Sequence, residues 1–262
     1  MLARCGAARY KKVMSLELLP FLERVSGWRG VLIALIVLVG PALVTPEVIA
    51  GADETAGAAG GGREPHTQSP IDLPAEPPDG DDDGHRIEIH YVDSAEHLIH
   101  REHTIEVEYD PGSAIAFDGA SYALEQMHFH TPSEHLVVHE RFPVELHLVH
   151  RSEEGGLLVL GILFDVGPPS SFVERILRDA PRDVGRIDLD RHLNAMRLFP
   201  KETHFYTYLG SLTTPPYTEG VRWLILTEHP TVSPAQVVRL LVLEGGNARD
   251  VQPLNARRLD GL

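Results

Sequence analysis

In the stretch Gln126-Met127-His128-Phe129-His130, polar and apolar side chains alternate strictly. Only an extended strand sorts such a sequence, because side chains two apart share a face. Gln126, His128 and His130 then lie on one face, with Met127 and Phe129 on the other. A second run, Glu145-Leu146-His147-Leu148-Val149, has the same design. If the two strands are neighbours, three imidazoles converge on one point. Three histidines with one open position form a catalytic zinc arrangement, the fourth position being left for water. Ligand histidines give their second ring N–H to a polar partner. Gln126 stands where it could orient His128, and Glu145 where it could orient His147. A lone His-x-His pair is weak evidence, because histidine also serves as an ordinary hydrogen-bonded group. The third histidine and the two polar neighbours raise its weight.

Composition limits the alternatives. The chain has 262 residues, 23 Lys plus Arg and 38 Asp plus Glu, for a net charge of −15. Nucleic acid as partner is excluded by that balance, since a basic face is required. The single cysteine, Cys5, precedes the expected folded domain. That domain therefore has no disulfide and no thiolate metal site, and any metal falls to His, Asp or Glu.

Residues 1–52 combine a basic lead, the apolar run Val31–Val39 and the small triplet Ala50-Gly51-Ala52. The run is short for a membrane span. It reads as a secretory signal cut after Ala52, giving a periplasmic or secreted protein; the competing reading is an uncleaved anchor facing outside. Residues 53–67 are Gly/Ala-rich and read as a flexible linker. The acidic run Asp79–Asp83 reads as a solvated loop, without the later Glu of a calcium loop.

From Arg86 the alternating pattern predicts strands, with turns at Asp110-Pro111-Gly112 and Phe117-Asp118-Gly119. His97, His100 and His103 are expected in a loop entering the second strand, mostly at the surface. Leu157–Phe164 reads as a buried strand and Val221–Leu226 as another. Thr207–Pro216 reads as a hydroxyl- and proline-rich loop. Helices are expected from Ser171, with Ser171 as cap, and from Ser233-Pro234. The result is a mainly β, single domain over residues 68–262 with few short helices.

These pieces resemble the α-carbonic anhydrases. The matching motifs are Gln68-Ser69-Pro70-Ile71-Asp72, the Gln-x-His-x-His of 126–130, Glu145-Leu-His-Leu-Val-His150, Gly210-Ser-Leu-Thr-Thr-Pro-Pro216 and Val251-Gln-Pro-Leu-Asn255. They occur in family order and span about Gln68 to Arg257. The resemblance implies a large twisted, mostly antiparallel sheet and zinc-dependent reversible hydration of carbon dioxide to bicarbonate and a proton, a lyase reaction. It implies Zn2+ on His128, His130 and His147, with hydroxide on the zinc as nucleophile. Thr213 would orient that hydroxide, with Glu134 accepting the Thr213 hydrogen bond. Thr213 and Thr214 would line the substrate side. Val149, Val159, Leu212, Val221 and Trp223 would form an apolar wall for carbon dioxide. His103 matches the family's proton shuttle, and histidine is the side chain that titrates near neutrality; His97 or His100 could take that role instead.

The chain departs from the family before Gln68, where the usual aromatic segment is missing. The position of the family's second bridging cysteine holds Tyr217, and Asp250 stands where proline is common. The loss of bridge and segment predicts a domain less stable than its relatives, with apolar surface exposed unless a homodimer partner covers it. Two rivals remain. A cupin-type metal enzyme shares His128, His130 and Glu134 but lacks the glycines around them. A non-catalytic binding module on the same fold would dispense with turnover.

Overall fold

The computed structural model describes residues 67–78 and 85–262. The expected signal segment 1–52, most of the linker 53–67 and the acidic run 79–83 lie outside the described residues. Strands in the first half are β1 (Asp72–Leu73), β2 (Ile87–His90), β3 (Ser94–Arg101), β4 (Thr104–Glu108), β5 (Ala114–Phe117), β6 (Ala120–His130), β7 (Leu136–Val137) and β8 (Glu140–Arg141). There follow β9 (Val144–Arg151), β10 (Leu157–Val166), helix α1 (Ser171–Asp179), β11 (Gly185–Leu193), a 3-10 turn at Ala195–Leu198, β12 (Phe205–Ser211), β13 (Glu219–Leu226), β14 (Thr231–Val232), helix α2 (Pro234–Glu244) and β15 (Asp260–Gly261).

The main sheet has twelve strands, with the path β11-β3-β4-β6-β9-β10-β13-β12-β15, while β1, β7 and β8 make a separate small sheet. Most pairs are antiparallel, and β10–β13 is parallel. β6 and β9 are adjacent at the middle of this path, with His128 opposite His147.

Alternation divides the interior into two clusters. Met127 and Phe129 of β6, Leu146 and Leu148 of β9, and Leu158, Leu160 and Ile162 of β10 join a large cluster with Phe172, Val173 and Ile176 of α1. Val149, Val159, Val221, Trp223 and Tyr208 form a smaller cluster on the opposite face. Burying each large apolar side chain contributes about 1.5–3 kcal/mol. The first cluster thus anchors the backs of the two strands whose fronts carry the histidines. β10 is apolar on both faces because it is covered on both, as its continuous run requires.

Three local expectations are corrected. His97 and His100 are within β3, paired with Glu108 and Ile105 of β4, and not in a loop; His100 is buried. The buried side chains Leu98 and Ile99 between them decide the strand. Thr207–Ser211 belongs to β12, whose neighbours β13 and β15 satisfy its backbone, so the loop begins only at Leu212. The cap of α1 is Ser170, whose side chain accepts from Val173 N–H. α2 starts as expected, with Ser233 and Gln236 forming a reciprocal capping box and Pro234 at the first turn.

Candidate active site

The three histidine rings meet at the β6–β9 pair, with centroid separations of 5.0 Å for His128–His130, 5.3 Å for His128–His147 and 4.5 Å for His130–His147. One ring nitrogen from each lies within 4.8 Å of the others. The remaining nitrogens are held from behind. His128 Nδ1 is 2.9 Å from Gln126 Oε1. His147 Nε2 is 2.8 Å from Glu145 Oε1. His130 Nδ1 is 3.3 Å from the carbonyl of Asn247. These acceptors fix the tautomers, so the lone pairs of His128 Nε2, His130 Nε2 and His147 Nδ1 are turned to the shared point. His130 Nε2 is buried with no hydrogen-bond partner. An orphaned buried lone pair beside two more imidazole nitrogens fits a divalent ion that accepts nitrogen donors, zinc foremost.

For His128 and His130, protonation also favours a metal. Burial, reinforced by the neighbouring imidazoles His130 and His147, holds His128 well below its ordinary value. Burial and His147 bring His130 down to about 3. Both are therefore neutral, as a ligand must be. Burial lowers His147 too, but the Glu145 charge and hydrogen bond outweigh it and leave His147 raised. Burial alone would raise Glu145. The His135 and His147 imidazoles hold it well below the carboxylate range instead.

Glu145 does more than face His147. Its Oε2 accepts the N–H groups of Glu134 (2.8 Å) and His135 (2.9 Å), and its Oε1 lies 2.7 Å from His135 Nδ1. His135 Nε2 is 2.7 Å from the Tyr208 hydroxyl, which donates to Ser69 Oγ at 2.9 Å. This buried chain ties the 131–135 turn to β9, β12 and the Gln68-Ser69-Pro70 segment. The roles of Tyr208 and Asn247 leave no local pattern in the sequence, since Tyr208 is 73 residues from His135 and Asn247 is 117 from His130.

Glu134 is 1% exposed and accepts Arg249 N–H at 2.9 Å. Burial pushes its carboxyl up. His147, the Arg249 N–H and the nearby Thr213 hydroxyl oppose that, while Glu145 adds to it. Glu134 Oε2 is buried without a hydrogen-bond partner, on a carboxyl that the Thr213 hydroxyl is near enough to influence. Thr214 is exposed beside Thr213. Val149, Val159, Val221 and Trp223 are buried together with Leu212 packed on them, and the Trp223 ring lies 4.9 Å from that of His147. The apolar residues singled out in the sequence thus form one wall beside the histidines.

His103 is exposed in the turn between β3 and β4, and its carbonyl accepts from Asn247 Nδ2 at 2.9 Å. The other two candidates of that segment are engaged elsewhere. His97 lies between Asp188 (2.6 Å) and Asp110 (3.2 Å), and His100 Nε2 donates to the Leu243 carbonyl at 2.9 Å.

Residues 59–260 match the family model of the eukaryotic-type carbonic anhydrases. The chain belongs to the carbonic anhydrase family. A carbonic anhydrase of Neisseria gonorrhoeae is 38% identical over 173 residues, which are 65% of this chain and 69% of that protein. A hyperthermostable carbonic anhydrase from an active hydrothermal vent chimney superposes with a TM-score of 0.69 at 39% identity, covering 74% of this chain and 86% of that one. The α-carbonic anhydrase of Thermovibrio ammonificans, solved with the inhibitor sulfanilamide, gives a TM-score of 0.70 at 36% identity, with 74% and 86% covered. The carbonic anhydrase fold therefore extends over the described residues that build the histidine site.

Proposed function

We propose that the chain hydrates carbon dioxide reversibly, using zinc held by His128, His130 and His147. The observation that carries this reading is the convergence of three ring nitrogens within 4.8 Å, each ring held from behind by Gln126, Asn247 or Glu145. When bound, zinc supplies Lewis acidity that brings the pKa of water to about 7.

The protein's own groups supply orientation and sorting. Glu134 has one oxygen fixed by Arg249 N–H and the other buried without a partner, and that second oxygen would accept a hydrogen bond from the Thr213 hydroxyl. The Thr213 oxygen can then only accept, so it selects a nucleophile whose O–H points toward it and whose lone pair points away, toward substrate. Val149, Val159, Leu212, Val221 and Trp223 offer no hydrogen bond. Carbon dioxide, which needs none, rests there, while water is excluded. Thr214 borders the same space. The released proton must reach solvent through a group that titrates near neutrality. His103 takes that role, being exposed, while His97 and His100 are tied to other partners.

The alternative is a non-catalytic binding module of the same fold. Stopped-flow carbon dioxide hydration by the zinc-loaded full chain, with His147→Ala alongside, separates the two. Rapid turnover that the variant loses, together with its zinc, supports the enzyme. A folded, zinc-containing protein without turnover overturns it.

A further inference from the structure

α2 ends in Glu244, a carboxyl only 1% exposed that no step above uses. Its Oε1 accepts Ile105 N–H at 3.0 Å, and its Oε2 is 3.3 Å from Thr131 Oγ1. Three residues on, Asn247 contacts the same two segments. Its Oδ1 accepts Thr131 N–H at 2.9 Å, and its Nδ2 donates to the carbonyls of His103 (2.9 Å) and Phe129 (3.0 Å).

The two segments belong to adjacent strands whose pairing stops short. β4 and β6 are in register from Glu108↔Gln126 to Glu106↔His128, and no further. Beyond that point His103–Ile105 enters β4 while Phe129–Thr131 leaves β6. Buried backbone groups there need partners other than each other. The side chains of Glu244 and Asn247 stand in the gap and supply them. On its other edge the start of β4 is held by β3, through His100↔Ile105 and Arg101↔Thr104. The turn carrying His103 is thus clamped on one side by a hairpin and on the other by the end of α2. Burying a carboxyl is unfavourable unless its oxygens are satisfied, and burial pushes this one up to about 8.

We infer that Glu244 is a positioning residue for proton export: it fixes the start of β4, and with it the His103 turn, relative to His130 on the end of β6. The inference rests on the reading of His103 as the proton carrier. Proton transfer depends steeply on donor–acceptor placement, and a misplacement of about 1 Å can cost on the order of a hundredfold. Proton export follows release of bicarbonate, so a displaced turn lowers kcat and spares kcat/KM.

The test is carbon dioxide hydration by the zinc-loaded full chain in weak buffer, with and without added imidazole as a mobile proton carrier. The variants are Glu244→Ala, Glu244→Gln, His103→Ala and the double His103→Ala/Glu244→Ala. Glu244→Ala is expected to lower kcat roughly tenfold with kcat/KM held within about twofold, and imidazole should restore it. Glu244→Gln, which keeps an acceptor for Ile105 N–H and a polar group for Thr131, should stay near the parent. The double variant should be no slower than His103→Ala. If Glu244→Ala does not fold, Glu244→Asp, too short to span both contacts, takes its place. Parallel loss of kcat and kcat/KM without rescue, or no loss at all, overturns the inference. An unaffected His103→Ala overturns the reading of His103 itself. A rescued loss in His103→Ala beside an unchanged Glu244→Ala overturns the Glu244 role alone.

Discussion

Gly161 of β10 lies directly opposite His147 of β9, and a Cβ on Gly161 would sit 3.1 Å from Glu145 Oε1 and 2.7 Å from Ile225 Cδ1. In an otherwise continuous apolar strand, the missing side chain makes room for the carboxylate that orients His147. Gly161→Ala should therefore push Glu145 off His147. We expect zinc affinity to fall about 10–100-fold, as when a ligand's hydrogen-bond partner is lost, with about 1–3 kcal/mol lost to overpacking. Chelator competition and thermal unfolding measure the two effects. Unchanged zinc affinity would mean that Glu145 keeps its place despite the methyl.

Thr213→Val keeps the shape of the Thr213 side chain and removes the hydroxyl proposed to pair with the unpartnered Glu134 Oε2. Zinc content should be unchanged, while kcat/KM falls on the order of a hundredfold from lost orientation. Full activity in this variant would remove Thr213 from the mechanism.

Tyr208→Phe interrupts the buried chain from Glu145 through His135 to Ser69. His135 Nε2 and Ser69 Oγ both lose a partner, at a cost of about 1–3 kcal/mol. Denaturant unfolding should register that loss, and zinc affinity should change less than in Gly161→Ala. The reverse ranking would show that His135 is held through Tyr208 more than through Glu145.

The Glu244 carboxyl, raised by burial against the hydrogen bonds from Ile105 and Thr131, holds its proton in the folded chain to about pH 8, from an ordinary value of 4.5. Between those values the folded chain binds a proton that the unfolded chain has released. Its stability must then fall as pH rises through that window. Glu244→Gln is neutral throughout. Its melting temperature should match the parent near pH 5 and exceed it near pH 9. Parallel melting curves across that range would contradict the buried, protonated carboxyl.

Much of the site is legible in the sequence because its geometry is local. The two-residue period puts His128 and His130 on one face of their strand and His147 beside Glu145 on one face of the next, and the pairing of β6 with β9 brings the three together. The partners Gln126 and Glu145 follow from the same period. The support behind them is different. Asn247, Arg249 and Glu244 reach the site only because the end of α2 returns to the open end of the β4–β6 pair, more than a hundred residues away in sequence. β3 is hidden in the sequence because His97, His100 and Glu96 mask a strand defined by Leu98 and Ile99. The hydroxyls of Thr207 and Ser211 likewise suggest a loop, whereas both are buried in β12.

The β6–β9 register shifts between Leu124 and Gln126: Leu124 faces His150, and Gln126 already faces Val149. Glu125 is the extra residue, exposed and ion-paired with Arg151. Leu124 packs in the larger apolar cluster although it is two residues from Gln126, which stands on the histidine face. The bulge thus acts as a phase shifter: the hairpin half of β6 keeps one parity, and the half carrying His128 and His130 keeps the opposite one. What this position encodes is a count and not a chemical identity. Substitutions of Glu125 leave the count intact. Its deletion would leave Leu124 and Gln126 as successive residues of a regular ladder opposite His150 and Val149, each on its present face, whereas one more residue inserted here would turn either the histidines or Leu124 to the wrong side.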